Sequence, residues 1–328
     1  MRVLFNTYPV AFDCPGGGEI QLLKSRAALE RAGAEVLLYD VWQPQLRAVD
    51  VVHYFSVQGG SMNFCGHVKR LGLPLVISPI LWITPENRQQ VPWGEVHALL
   101  HSADRILPNS VAEREQLVEA FQVDPGKFTV TYNGIDASFA EPADPSQFCQ
   151  HFAQPRPYLL CVGNIEPRKN QLRLIQASAG LDLDLILLGN VRDGHYWDAC
   201  QAAAGAHVRY LGCLDHASPL LKSAYAGCSA FVLPSTCETP GLAALEAAAQ
   251  GAPLAITEVG CTREYFGEFA CYADPHDEAS IRQAIVAALA RPREARLRQR
   301  VLDSFTWDHT ARALLTAYQQ ARDAVCGG

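Results

Sequence analysis

The chain predicts two α/β units, each a parallel sheet covered by helices on both faces, and three observations lead there. Short apolar runs alternate with helical patterns along most of the chain, the arrangement that forces parallel pairing. One stretch near the middle, Ala137 to Pro157, is rich in Pro, Gln, Asp and Ala and lacks apolar periodicity, so it reads as a linker. The length, 328 residues, suits two domains of about 150 residues each.

The first unit takes its strands from Val3 to Phe5, Val36 to Tyr39, Val51 to Phe55, Leu75 to Ile77, Arg105 to Leu107 and Phe128 to Thr131. Helices are expected at Glu19 to Ala32, Trp93 to His101 and Val111 to Phe121. After the linker the pattern restarts with Tyr158 to Val162, Leu185 to Leu188, Arg209 to Leu211, Ala230 to Leu233 and Pro253 to Ile256. The end of the chain, Glu278 to Ala290, Pro292 to Leu302 and Asp308 to Ala324, is helix after helix with no strand left to add. The boundaries expected are residues 1–140, a linker at 141–157, a second domain at 158–305, and a helix at 306–328 that packs back across the domains.

At 49% hydrophobic and 19% charged residues, the composition is that of an ordinary globular protein. A net charge of −7, shared between both halves, offers no electrostatic reason to bind nucleic acid. Eleven cysteines without a C-x-x-C pair argue for small buried apolar residues in a reducing cytoplasm rather than disulfides or structural zinc. No run approaches the roughly 20 apolar residues of a membrane span, and Met1 to Val10 has no signal-peptide pattern, so a cytoplasmic location is expected.

Three segments carry chemistry. Cys14-Pro15-Gly16-Gly17-Gly18-Glu19 lies between a strand and a helix. There it is either a plain tight turn or a place where the backbone and a helix N-terminus approach a phosphate or carboxylate. It lacks the G-x-G-x-x-G spacing and the Walker lysine, which disfavours an ordinary dinucleotide or P-loop site. Gly163-Asn164-Ile165-Glu166-Pro167-Arg168-Lys169-Asn170 follows the first strand of the second unit, at the sheet edge where ligands bind. It is either a solvated charged turn or a diphosphate grip, Arg168 bidentate and Lys169 a point charge. The third segment runs from Cys237 to Gly251. Thr239 is the expected N-cap, Pro240 the first helical residue and Gly251 the stop, with Glu238 just before the helix and Glu246 about two turns inside. Two acceptor-only carboxylates near one helix end suit sugar hydroxyls.

Glu238-x7-Glu246 with Gly241-Leu242 between them, followed by Gly251-Ala252-Pro253, resembles the signature of glycosyltransferase family 4. The resemblance extends to the glycine loop, Asn133 to Asp136, Val162-Gly163 with Lys169-Asn170, Tyr210-Leu211-Gly212, and Gly260 with Glu264. It implies the GT-B architecture, two Rossmann-like domains facing each other across a cleft, with residues 1–140 the acceptor domain and 158–305 the nucleotide-sugar donor domain, and a retaining transferase that uses a nucleotide diphosphate sugar. By that resemblance Lys169 binds the donor diphosphate, Glu246 the ribose, and Glu238 lies near the transferred sugar. The amides of Gly241 and Leu242 touch phosphate or sugar, and Gly16 to Gly18 close over the donor phosphates or the acceptor. Donor contacts are also expected from Gly163, Asn164, Thr239 and Pro240, with the base read near Gly189, Tyr210, Leu211 and Gly212.

Two departures bear on the chemistry. Many members carry an Arg directly after the strand glycine where this chain has Asn164, which makes Arg168 the expected replacement. Many place a His after the fourth strand, where this chain reads Ser78-Pro79-Ile80. His53, Ser78, Trp82 and Asn109 are the expected acceptor-side residues, with His53 either packed or lining that side and Asn109, next to Ser110, either at a crevice edge or part of a helix cap. Trp42, Trp93 and Trp197 are read as core or rim, and Cys14 and Cys237, beside the two loops, as either reactive thiols or, the commoner case, small buried cysteines. Asp182-Leu183-Asp184 has the spacing of a metal-binding carboxylate pair but precedes a strand, so it is read as a solvated turn and no metal or other cofactor is expected. The expected reaction is metal-independent, same-face transfer from a UDP- or GDP-sugar to a glycan, lipid-linked or small-molecule acceptor, with possible peripheral contact at the inner face of the membrane. The alternatives are an inactive nucleotide-sugar-binding protein and a nucleotide-sugar 2-epimerase.

Overall fold

The computed structural model describes residues 1–57, 59–293 and 295–326, and the chain divides into two compact units. The first comprises Met1–Gly134 and Trp307–Gly328, the second Ile135–Thr306.

In the first unit β1 (Arg2–Asn6) leads to α1 (Gly17–Arg31), then β2 (Glu35–Leu38), β3 (Val51–Phe55), α2 (Met62–Arg70), β4 (Leu75–Ser78), α3 (Trp93–Ser102), β5 (Arg105–Ile106) and α4 (Val111–Phe121). All five strands are parallel, in the order β2-β1-β3-β4-β5, with Val3 opposite both Val36 and Val51. Every residue of β3 and β4 is buried, as expected for strands covered on both faces. Because the order runs outward from β1 in both directions, the gap between the ends of β1 and β3 is a topological switch point, where ligand crevices form. Ser110 caps α4 by accepting the Glu113 amide at 2.9 Å. The expected strand at Phe128 to Thr131 reduces to one bridge between Phe128 and Ile106. The α2 helix had no counterpart in the sequence reading.

The second unit opens with α5 (Ser146–His151), inside the segment expected to be a linker, and Phe148 of that helix is fully buried. Then come β6 (Tyr158–Val162), α6 (Gln171–Ser178), β7 (Asp184–Leu188), α7 (Gly194–Ala203), β8 (Val208–Tyr210), α8 (Pro219–Gly227), β9 (Ala230–Leu233), α9 (Leu242–Ala249), β10 (Leu254–Thr257), α10 (Thr262–Phe266), β11 (Ala270–Ala273), α11 (Glu278–Leu289) and α12 (Ala295–Ser304). Six parallel strands lie in the order β11-β10-β9-β6-β7-β8, so the switch point falls between β6 and β9. The edge strand β11 was not expected. The sequence reading places a helix at Pro292 to Leu302, of which Glu294 lies outside the described residues.

The last helix, α13 (Trp307–Cys326), belongs to the first unit and packs along α1. Its buried residues Ala311, Leu314, Ala317, Tyr318 and Ala321 recur at helical spacing, one apolar stripe on a long helix. Arg31 and Asp308 pair at 2.9 Å beside that seam. Gly327 and Gly328, within the helix expected at 306–328, lie outside the described residues.

Candidate functional site

The site forms at the switch point of the second unit, where the loops after β6 and β9 meet. After β6, Gly163 donates to the Leu188 carbonyl and Ile165 to that of Asn190, which carries the chain along β7. A single turn, Pro167–Lys169, then presents the two cations, and Asn170 ends it with φ +60°. Asn tolerates that left-handed conformation better than most residues. Its buried side-chain amide donates to the carbonyls of Pro234, at 2.9 Å, and Pro275, at 2.8 Å. The cationic turn is thereby tied to the ends of β9 and β11.

After β9 the backbone crosses back over that turn. Thr236 donates to the Arg168 carbonyl at 2.8 Å, and the Glu238 carbonyl accepts from Cys261 at 3.0 Å. Gly260 makes the crossing possible, since a Cβ there would stand 2.0 Å from the Glu238 carbonyl oxygen at a φ of +109°. Gly189 is constrained in the same way, with a Cβ falling 2.0 Å from the Gly163 carbonyl oxygen.

Lys169 Nζ lies 2.6 Å from Glu238 Oε1, and Arg168 Nη1 3.9 Å from the same oxygen. Glu238 is buried; Lys169 is nearly so, whereas 48% of the Arg168 side chain stays exposed. Burial alone would raise the Glu238 carboxyl, but Lys169 and Arg168, helped by Ser235, outweigh it and hold the group below its ordinary value. Arg168 reaches Glu166 at 3.0 Å, and Arg192 reaches the other oxygen of Glu166 at 3.1 Å. Three cations thus gather around two carboxylates at the sheet edge. A buried pair of this kind contributes little net stability. An anion brought to its exposed face would meet Arg168 and the two ammonium protons that Lys169 does not spend on Glu238.

The helix after Glu238 begins two residues later than expected. Its first residue is Leu242, and Gly241 at φ +87° is the N-cap, so Thr239 is not the cap and Pro240 is not in the first turn. The reason is Gly241 itself, whose left-handed backbone lies outside the helical region. Ala244 donates to the Gly241 carbonyl at 3.0 Å, whereas the amides of Leu242 and Ala243 precede the first intrahelical bond; this end of α9 lies beside Glu238, since a Cβ on Gly241 would sit 3.3 Å from Glu238 Oε2. The Thr239–Pro240 peptide is cis. Gly251, at φ +75°, follows the helix end as expected.

Glu246, buried inside α9, is not a bare carboxylate along a wall. His216 Nε2 lies 2.6 Å from Oε1, and the buried Tyr225 hydroxyl donates to Oε2 at 2.8 Å. His216 Nδ1 also lies 3.5 Å from Asp136 Oδ2. Each Glu246 oxygen keeps a second lone-pair site for a ligand hydroxyl. Neither His216 nor Tyr225 was singled out in the sequence. The one local signal was Asp215-His216, placed just after Tyr210-Leu211-Gly212. Tyr210 itself donates to the Gly189 carbonyl at 2.8 Å, which joins two residues expected near the base, and Trp197 packs on its ring. Leu211 contributes its amide to the Leu187 carbonyl. The Asn164 carbonyl accepts from Gln171.

In the first unit several expectations change. Glu19 folds back on the glycine loop and accepts the Gly16 amide at 2.7 Å, with the Tyr8 hydroxyl at 3.0 Å on its other oxygen. A carboxylate from the chain therefore already stands at the start of α1, beside Gly16, Gly17 and Gly18. His53 is fully buried, with Nδ1 2.8 Å from the Tyr318 hydroxyl and Nε2 2.9 Å from Ser78 Oγ, and its ring stacks on Phe55. Burial pulls its pKa down to about 3. His53 and Ser78 are therefore core residues of this unit rather than an acceptor surface, because both ring nitrogens are spent inside it. Asn109 is buried too, paired with Gln21 at 2.8 Å, so it belongs to an internal polar network. Trp82 is half-buried. Asp184 is buried and bonded to Gln154 and Arg156, and only Asp182 matches the expected solvated turn.

Residues 156–291 match the family described as Glycosyl transferases group 1, and residues 38–139 match Glycosyltransferase Family 4. Among curated relatives, a D-inositol 3-phosphate glycosyltransferase of Stackebrandtia nassauensis is 32% identical over 262 residues, covering 73% of this chain and 58% of the relative. A glycogen synthase of Mycobacterium tuberculosis is 31% identical over 251 residues, covering 70% and 58%. The chain thus spans less than two thirds of the length of these relatives. Among solved structures, sucrose-phosphate synthase from Thermosynechococcus elongatus superposes with a TM-score of 0.81 at 18% identity, covering 97% of this chain and 98% of that one. Anabaena HepE in complex with UDP-glucose superposes with a TM-score of 0.73 at 17% identity, covering 100% and 98%. The two matched segments and the two parallel sheets lead to one conclusion: the chain belongs to glycosyltransferase family 4 and has the α/β units of the GT-B fold.

Proposed function

We propose that the protein is a retaining glycosyltransferase that takes its sugar from a nucleoside diphosphate donor, UDP- or GDP-linked, without a metal ion. The observation that carries this reading is the buried Lys169–Glu238 pair beside Arg168 and the start of α9 at Leu242 and Ala243. A diphosphate leaving group carries its charge to that place, and preorganised cations and amides stabilise it without reorganisation. Lys169 is oriented by Glu238 and keeps two N–H groups for phosphate oxygens. Arg168 covers the exposed side, and Glu246, steadied by His216 and Tyr225, accepts from ribose hydroxyls.

In the transfer step the bond between the sugar C1 and the donor phosphate oxygen breaks. A new C1–O bond to the acceptor hydroxyl forms on the same face, and the hydroxyl proton passes to the departing phosphate. Glu238 serves as the charge partner of Lys169 and as a hydrogen-bond acceptor for the transferred sugar, and it forms no covalent bond. The presence of Asn164, where many family members carry Arg, favours one other reading, a protein that binds nucleotide sugars without turning them over.

Titration calorimetry with UDP- and GDP-sugars, run beside NMR of the reaction products in EDTA, tests the proposal. Binding with transfer or donor hydrolysis at retained anomeric configuration is the expected result. Binding without turnover establishes the second reading, and an inverted product or a sugar trapped on Glu238 overturns the mechanism.

A further inference from the structure

The first unit holds a cavity of about 760 Å³ that no part of the donor chemistry uses. It opens at the carboxyl ends of β1, β2 and β3, which includes the switch point of that sheet. Its size falls in the range of about 300–1,000 Å³ that holds small molecules. The wall is apolar and aromatic, built from Phe12, Tyr39, Val41 and Phe64, with the rings of Tyr39 and Phe64 4.8 Å apart and edge-on. Polar groups line it in two places, Asn6 and Thr7 behind β1, and Asn63 and His67, about one helical turn apart on α2.

The rim is apolar where solvent would favour polar residues. Phe12 is 47% exposed and Val41 65%, and their chain neighbours Val10 and Trp42 are 70% and 88% exposed. Apolar exposure concentrated around one concavity marks a binding site. The cavity also adjoins the glycine loop. Tyr8, another of its lining residues, donates to Glu19, the carboxylate that holds the Gly16 amide.

The family resemblance already gives the first unit to the acceptor; we propose that this acceptor carries an apolar group, an alkyl chain or an aromatic ring, next to the hydroxyl that is glycosylated, and that this cavity holds that group. The apolar group lies against Phe12, Tyr39, Val41 and Phe64, while Asn63 and His67 hold the polar end. A free sugar alone would leave these apolar walls in water, whereas an apolar group of several carbons covers them and removes its own apolar area from water as well. The concave shape fits a single small molecule rather than a bilayer surface. This inference rests on the transferase reading above, because it names the class of the second substrate.

The test compares methyl, octyl and phenyl β-glucosides as probes, each below its micellar concentration, on the full chain by ligand-observed NMR, with UDP and GDP affinity measured in parallel. The octyl or phenyl glucoside is expected to bind at least about tenfold more tightly than the methyl glucoside. Whichever of the two binds more tightly identifies a chain or a ring as the natural group. The exposed-site variants Phe12→Ser and Val41→Ser should lose most of that preference and keep nucleotide affinity unchanged. Equal binding of all three glucosides, or a preference that survives both substitutions, overturns the proposal while nucleotide binding still supports the transferase. Glucoside preference without nucleotide binding keeps the cavity as a ligand site and removes the acceptor assignment. If the variants lose association with phospholipid vesicles but retain the glucoside preference, the apolar rim serves a lipid surface and the proposal fails.

Discussion

Lys169 and Glu238 stand 69 residues apart in sequence and 2.6 Å apart in space, because β6 and β9 are neighbours in the sheet. That relationship makes the first prediction. Lys169→Ala leaves a buried carboxylate without its main partner and should cost about 3–5 kcal/mol of stability, whereas adding Glu238→Gln to it should restore part of the loss. Urea denaturation of the single and double variants reads the difference, and nucleoside diphosphate affinity should fall in both.

The same pair makes stability acid-sensitive in a definite direction. Glu238 has its folded pKa held below the ordinary 4.5, so its contribution is present above that value and is lost as the pH falls through the lower folded value. Stability of the wild type should therefore drop more steeply below about pH 5 than that of Glu238→Gln. Identical slopes in chemical denaturation from pH 6 to 3 would remove the charge pair from the account.

His53 titrates in the opposite structural setting, buried and neutral, with a folded pKa near 3 against an ordinary 6.5. Its contribution is complete above pH 6.5 and is lost progressively as the pH falls toward 3, since only the unfolded chain takes up the proton in that window. The slope approaches about 1.4 kcal/mol per pH unit, so roughly 2 kcal/mol should disappear between pH 6.5 and 5. His53→Asn should flatten that window whatever its absolute stability, which denaturation at pH 7, 6 and 5 measures.

Glycines near the sites separate into required and permissive positions. Gly260→Ala places a Cβ 2.0 Å from the Glu238 carbonyl at positive φ and should cost about 3 kcal/mol or more, with loss of nucleotide binding. Gly17→Ala, with nothing within 4 Å of the added carbon and a helical setting, should stay within about 1 kcal/mol of the wild type. Thermal melts of the two variants decide it.

Glu246 depends on two groups for its position. Tyr225→Phe should cost about 1–2 kcal/mol through one lost buried hydrogen bond. His216→Ala, at a partly exposed side chain, should alter stability less and weaken UDP or GDP affinity more, as melts and calorimetry can compare.

Much of the fold was legible because its signals are local. Tyr158–Val162 and Ala230–Leu233 are apolar runs with turn residues behind them, and α4 begins after Ser110, a cap that needs only its neighbours. The short edge strand β11 and the helix α2, which carries Gly66 and polar residues among its apolar ones, have weak local patterns and depend on packing against their neighbours. The start of α9 was misplaced because Thr239-Pro240 imitates a cap, while the backbone of Gly241 decides the boundary.

The amino-acid order by itself determined the alternation of strands and helices, the glycines behind β6 and β7, and the presence of Lys169, Arg168, Glu238 and Glu246 at strand and helix ends. Only the tertiary structure decided that Lys169 meets Glu238, that His216 and Tyr225 hold Glu246, and that His53 lies in the core facing Tyr318 of the last helix. The physical reason is that periodicity and turn chemistry act over a few residues, whereas these contacts follow from strand order and from the return of a distant helix. Both are set by burying apolar faces from the whole length of each unit.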